Sequence, residues 1–175
     1  MVPKCELKNW TRAHEGQKFL CTTDPKYIQL DTLNAALGSN MMWWARPMPE
    51  AELRKMVDHS LCLGLYLVDE RTAGDDESSY PMVGFARLIT DYVSFAYLTD
   101  VYILPEHQGK GLGKWMMECL NEILDNWPNL RRFLLLTGDL SAVRLYQSTL
   151  GMEVVQPGKL AFMQKVGPAA PDYHP

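Results

Sequence analysis

Three glycines and two lysines fall inside six consecutive residues, Gly109, Lys110, Gly111, Gly113 and Lys114. From Leu112 onward, apolar residues recur at Leu112, Met116, Cys119, Leu120, Ile123, Leu124 and Trp127, the spacing of an amphipathic helix that Pro128 ends. The glycines therefore sit at a helix N-terminus. Amide donors there have no intrahelical acceptor and carry the positive end of the helix dipole. Glycine lets that backbone approach an anion closely, and the lysines add charge. The chemistry such a turn offers is the holding of a phosphate or pyrophosphate.

Two familiar phosphate-binding patterns fail on their required residues. A P-loop places Gln108 where its first glycine should stand and Trp115 where its Ser/Thr should stand. A dinucleotide fingerprint started at Gly109 lands on Lys114, and one started at Gly111 lands on Met116. A nucleotide hydrolase is a poor fit for the same reason.

The chain that must position this turn has 175 residues, 47% hydrophobic and 22% charged, which suits one globular domain. A net charge of -4 argues against a general nucleic-acid binder. Cys5, Cys21, Cys62 and Cys119 form no C-x-x-C pair and no zinc spacing, so they read as packed, reduced thiols, Cys119 among them. The N-terminus has no apolar h-region, and no apolar run approaches the about 18 residues of a membrane span. These features point to the cytoplasm, with the nucleus as the alternative, and to no membrane partner.

Periodicity and turn residues predict the element order β-α-α-β-β-β-α-β-α-β-β, a mixed α/β or α+β sheet. A strand covers Lys18–Thr23. One helix runs from an Asp24 N-cap, with Pro25 first, to Gly38, and a second carries Leu53, Met56, Val57 and Leu61 on one side. "LCLGLYLVDE", "YPMVGFARLIT" and "FAYLTDVYIL" are strands, "LRRFLLLTG" a buried strand and "SAVRLYQSTL" a short helix. "RTAGDDESS" reads as a polar hairpin tip, and the last two strands as a hairpin around Pro157–Gly158. Residues 1–17 form an N-terminal extension, 18–166 the domain and 167–175 a flexible tail.

"VYILPEHQGKGLG" resembles motif A of the GNAT N-acetyltransferases: a strand, then [Q/R]-x-x-G-x-[G/A], then a helix. Gln108, Gly111 and Gly113 match it position by position. The resemblance runs from about Lys18 to Val166, and "VGFARLITDYVSFAYLTDVYILPEHQGKGLGKW" is similar to a subgroup of small GNAT proteins. It implies a central, mostly antiparallel sheet of six or seven strands flanked by four helices, with two splayed strands forming an acyl-CoA cleft. It also implies acetyl-CoA as acetyl donor and coenzyme A as product. Val101, Tyr102 and Ile103 would pair their backbone with the pantetheine arm, as an added strand would. The amides of Gly109, Lys110, Gly111, Leu112, Gly113 and Lys114, beside Gln108, would hold the pyrophosphate.

The same resemblance marks Tyr146 in "SAVRLYQS" as the acid that protonates the leaving thiolate, with Ser141 nearby on the cofactor side. A phenol, pKa about 10, stays protonated at neutral pH and can donate to a thiolate whose conjugate acid has pKa about 8.5. The attacking amine must first lose a proton. Asp100 is the foremost carboxylate candidate, with Asp91, His59 and His107 behind it. Strand alternation puts Tyr97, Thr99 and Val101 on one face and Leu98, Asp100 and Tyr102 on the other. Trp43 and Trp44, with Tyr92, Phe95 and Tyr97, are expected to line an aromatic acceptor pocket for a cation. The expected activity is transfer of acetyl to a small primary amine, an exposed lysine or an N-terminal amine by direct attack, in a monomer or homodimer. The alternative is an inactive acyl-CoA-binding sensor or interaction module.

Overall fold

The computed structural model describes residues 7–68 and 80–155. Six strands, β1 (Asn9–His14), β2 (Gln17–Thr22), β3 (Leu61–Val68), β4 (Met82–Thr90), β5 (Phe95–Ile103) and β6 (Arg132–Leu135), form one sheet in chain order. Neighbours are antiparallel except β5 and β6, which run parallel. The four α-helices among the described residues are α1 (Leu30–Leu37), α2 (Glu50–Asp58), α3 (Leu112–Leu124) and α4 (Leu140–Leu150). The mixed open sheet flanked by four helices agrees with the expectation.

Each face of the sheet has its own core. Leu63, Leu65, Ala86, Leu88, Ala96 and Leu98 pack against α3, and α4 closes on α3 from outside. Leu20, Tyr66, Phe85 and Tyr102 pack on the opposite face with α1 and α2. The α3 stripe is wider than its periodicity suggests: Trp115 and Met117 are buried with Leu112, Met116, Cys119, Leu120, Ile123 and Leu124. Each such side chain contributes about 1.5–3 kcal/mol by leaving water. Cys21, Cys62 and Cys119 are buried free thiols. The hydrogen bond with Cys119 and burial hold Cys21 well above the ordinary thiol range, and burial pushes Cys62 up to about 12. Cys119 is packed, as its place on the stripe predicts.

Four expectations are corrected. Residues 9–14 are not outside the fold but form the edge strand β1, joined to β2 through Glu15 and Gly16, both at positive φ (48° and 76°). The first helix is broken. Asp24 caps only a short 3-10 turn, Pro25–Tyr27, and Ile28 and Gln29 are extended before α1 begins. Gln29 leaves helix geometry because its side chain serves as a sheet partner, donating to the Tyr80 carbonyl (2.7 Å) and accepting from the Met82 amide (3.2 Å). The strand around Phe133 is not buried; Arg132–Leu135 alternates exposed and half-buried residues. Met152–Val155 is not a strand in the structure. The hairpin tip, the Pro157–Gly158 turn and the tail lie outside the described residues.

Candidate active site

Strands β5 and β6 pair only from Phe95↔Arg132 to Leu98↔Leu135. β5 continues for five more residues, Thr99–Ile103, paired on its other side with β4. Among the described residues its edge toward β6 therefore has no strand partner there, a ready template for an extended amide-bearing ligand. Leu104 follows, and the 3-10 turn Pro105–His107 redirects the chain. Gln108 donates its side-chain amide back to the Ile103 carbonyl (2.8 Å), so the motif glutamine fixes the turn to the strand end.

The glycine turn has the geometry its residues predict. Gly109 and Gly111 have φ of +77° and +70°, and Gly111 is the N-cap of α3. A Cβ at either would meet nothing within 4 Å, so backbone conformation rather than space requires glycine. Gly113 differs: a Cβ there would sit 3.7 Å from Ile103 Cγ1, an ordinary contact. The first intrahelical bond is Trp115 N–H to the Gly111 carbonyl (3.0 Å), so the amides of Leu112, Gly113 and Lys114 precede the ladder. No side chain caps them, and no acidic residue occupies the first turn. Lys110 Nζ donates to Gln17 Oε1 on β2 (3.1 Å), and the exposed Lys114 lies 3.8 Å from Glu118. His107 sets its ring edge-on to Phe19, with Nδ1 buried and unpartnered. Burial and then Lys110 lower its pKa.

Tyr146 is half-buried and packs against the α3-side core, which Val101 and Ile103 also join. Burial, and behind it Asp139, raise its pKa, so the phenol keeps its proton. Gly151 at φ +61° ends α4 and returns an N–H bond to the Tyr146 carbonyl. Ser141 is exposed and turned to the Asp139 carboxylate, which accepts from its amide and hydroxyl at 2.8 Å. Asp139, the residue that caps α4, was missed in the sequence; its signal was an Asx residue just ahead of the helical run.

Asp100 departs from simple alternation. Phe85 pairs with Tyr102 and Arg87 with Thr99, so one extra residue is inserted in β5, and Asp100 takes φ +52°. This bulge turns Asp100 onto the face that Tyr97 occupies rather than the opposite one, and Tyr97 feels the carboxylate, which with burial raises its pKa. Arg87 Nε and Nη2 each lie 2.7 Å from Asp100 Oδ2, and Thr99 Oγ1 donates to Oδ1 at 3.2 Å. Both carboxylate oxygens are thus engaged. Asp91 is also consumed. The Ser94 hydroxyl and then the amides of Ser94, Val93 and Phe95 donate to it, hold its carboxyl well below the usual carboxylate range and fix the β4–β5 turn. His59 bonds the Lys55 carbonyl at the end of α2.

Of the expected acceptor wall, Phe95 and Tyr97 lie on the side of the sheet that carries the tryptophan loop, and Tyr92 does not. Trp43 and Trp44 form an edge-on pair (5.8 Å) in the loop after the 3-10 turn Asn40–Met42, which contacts β5. Trp43 is 72% exposed. The loop is pinned where Asn34 both donates to the Met48 carbonyl (2.8 Å) and accepts from its amide (2.9 Å). Ala96 and Leu98 face α3, so Phe95 and Tyr97 face the α1–α2 side with the tryptophans. Tyr92 does not join them. It packs on the α3 side against Trp127, ring centroids 6.2 Å apart, because the turn before β5 sends it to the other face.

The model of the Acetyltransferase (GNAT) family matches residues 35–152. The chain belongs to the GNAT acetyltransferase family. A curated Gibberella zeae protein named as a candidate acetyltransferase is 45% identical over 160 residues, 87% of each chain. A crystal structure of a candidate GNAT acetyltransferase from Xanthomonas campestris pv. campestris superposes with TM-score 0.67 at 30% identity, covering 86% of this chain and 94% of that one. A GNAT-family acetyltransferase from Streptococcus pneumoniae shares the fold, with TM-score 0.55 at 21% identity over 93% and 99% of the two chains. This GNAT domain is an acetyltransferase, and among its described residues no helix is long and apolar enough to cross a membrane.

Proposed function

We propose that this GNAT protein transfers the acetyl group of acetyl-CoA to a primary amine by direct attack, without an acetylated enzyme. The observation that carries the reading is the junction of two features. The β5 edge without a described strand partner, Thr99–Ile103, is followed, across the turn that Gln108 ties to the strand end, by the uncapped N-terminus of α3. The edge suits an amide-bearing arm and the helix start suits a pyrophosphate, in the order in which coenzyme A presents them. Bound there, acetyl-CoA would supply the thioester that the amine attacks.

The chain's own groups then have distinct tasks. The backbone of Val101–Ile103 would orient the arm. The amides from Gly109 to Lys114 would hold the pyrophosphate, with Gln108 bracing the turn and Lys110 and Lys114 adding charge. Tyr146, kept protonated by burial, would donate to the departing thiolate. Trp43, Trp44, Phe95 and Tyr97 would receive the amine, a small molecule or an exposed lysine or N-terminal amine. Asp100, with both oxygens engaged, is assigned to positioning rather than to proton removal. That engagement also supports a second reading, an acyl-CoA-binding module without turnover.

Calorimetric titration with acetyl-CoA, followed by thiol release over a panel of amines, tests the proposal. Micromolar binding with release on an amine is expected. Binding without release on any amine favours the module, and no binding defeats both.

A further inference from the structure

We propose that Arg87 is a positioning residue for the cofactor strand: its ion pair with Asp100 holds the β5 bulge that parts β5 from β6. The inference rests on the acyl-CoA reading of that cleft.

Position comes first. The last β5–β6 pair is Leu98↔Leu135, and the bulge residue stands two residues further on. A bulge bends its strand and sharpens the local twist, so the parting of the two strands begins where the extra residue is inserted. The bulge also decides which side chains face α3. Beyond it Val101 and Ile103 pack on the α3 side and Tyr102 on the other. Removing the insertion would reverse all three, because a one-residue slip exchanges the faces. The Tyr102 phenol would then replace the aliphatic surface on which Gly113 and the helix start rest.

Energetics come second. Aspartate in the left-handed region is strained and persists only where its surroundings over-determine it. Asp100 is 6% exposed, and a buried carboxylate needs a partner. Arg87 supplies one with two contacts of 2.7 Å to the same oxygen. Its remaining arm, Nη1, donates to Ser60 Oγ (3.2 Å), which donates to the Met56 carbonyl of α2 (2.8 Å). The guanidinium thus ties the bulge to the helix beside the acceptor wall.

The test compares wild type with Arg87→Met, Asp100→Gly and the double variant. It reads the acetyl-CoA Kd and the hydrogen exchange of amides 99–103 against those of β2 and β3. Arg87→Met leaves a buried carboxylate unpaired. It is expected to raise Kd at least tenfold and to speed exchange at 99–103 at least tenfold more than elsewhere in the sheet. In the double variant glycine takes positive φ without strain and no charge is orphaned, so both readouts return to within threefold of wild type. An Arg87→Met protein that behaves as wild type, or a folded double variant that still binds tenfold weaker, overturns the proposal. If Arg87→Met does not fold, the double variant decides by the same limits. Should wild type itself not bind acetyl-CoA, the reading of the cleft falls instead. The exchange pattern then judges the bulge, and a uniform rise across the sheet counts against it.

Discussion

Lys110 Nζ and Gln17 Oε1 stand 3.1 Å apart, joining the glycine turn to the start of β2 across most of the chain. The bond holds a mobile ammonium near the helix start without neutralising it, because glutamine is uncharged. Lys110→Ala should weaken acetyl-CoA binding by about 0.2–1 kcal/mol, at most about fivefold, as for other solvent-screened charge contacts. Gln17→Ala should cost less than that. Calorimetry at low and high salt checks it. A lysine effect that does not shrink with salt would mean that Lys110 acts through packing.

Gly111 and Gly113 should respond oppositely to alanine. At Gly111 (φ +70°) a side chain is strained whatever the space around it, and Gly111→Ala should destabilise the fold by about 1–2 kcal/mol. At Gly113 the added methyl would meet Ile103 at an ordinary 3.7 Å, and alanine improves helix propensity by about 0.5–1 kcal/mol. Urea unfolding of the two variants should therefore move to either side of wild type.

Tyr146→Phe should lower turnover by about 10²–10⁴-fold with acetyl-CoA affinity retained, the range for loss of a positioned acid. Because burial raises this phenol's pKa, it remains protonated beyond the ordinary value of about 10. Wild-type kcat/KM should then climb with pH as the amine loses its proton, with no falling limb below about pH 10. Unchanged turnover in Tyr146→Phe would remove the tyrosine from the chemistry.

His107 links the turn to acid stability. Its folded pKa is lowered by burial and Lys110, so below the unfolded value of about 6.5 the unfolded chain binds the extra proton. Its contribution is complete above that pH and is lost as pH falls through it toward the folded value. Thermal unfolding from pH 7.5 down to 5.5 should show a smaller loss of Tm in His107→Phe than in wild type. Parallel losses would show that the imidazole is not the group responsible.

The glycine turn was readable because its parts are local: a stripe of apolar residues, a terminating Pro128 and glycines where left-handed backbone is required. The two faces of β5 were not. Alternation assigns Asp100 to the face opposite Tyr97, and only the inserted residue reverses this, which no local pattern in "YLTDVYI" encodes. Arg87 escaped notice for a related reason. An arginine in "VGFARLI" and an aspartate in "LTDVYI" each look like isolated charges in apolar strands. Their pairing across neighbouring strands was the available signal. Its aromatic character groups Tyr92 with the tryptophans, yet the turn held by Asp91 sends it to Trp127. The edge strand β1 carries mostly polar residues and so lacks the apolar alternation by which strands are recognised.

The strands of the sheet lie side by side in the order in which they are synthesised. As the chain leaves the ribosome, each of β2 to β6 can join a neighbour already made, without waiting for a later strand. Among the described strands, β3 must return over α1 and α2 and β6 over α3, slower and less local closures than the hairpin of β1 and β2. β6, the last of the described strands, bounds the proposed cleft. The proposed cofactor cleft is thus closed by the last of the described strands to be made, and until β6 arrives β5 carries an edge open along its whole length.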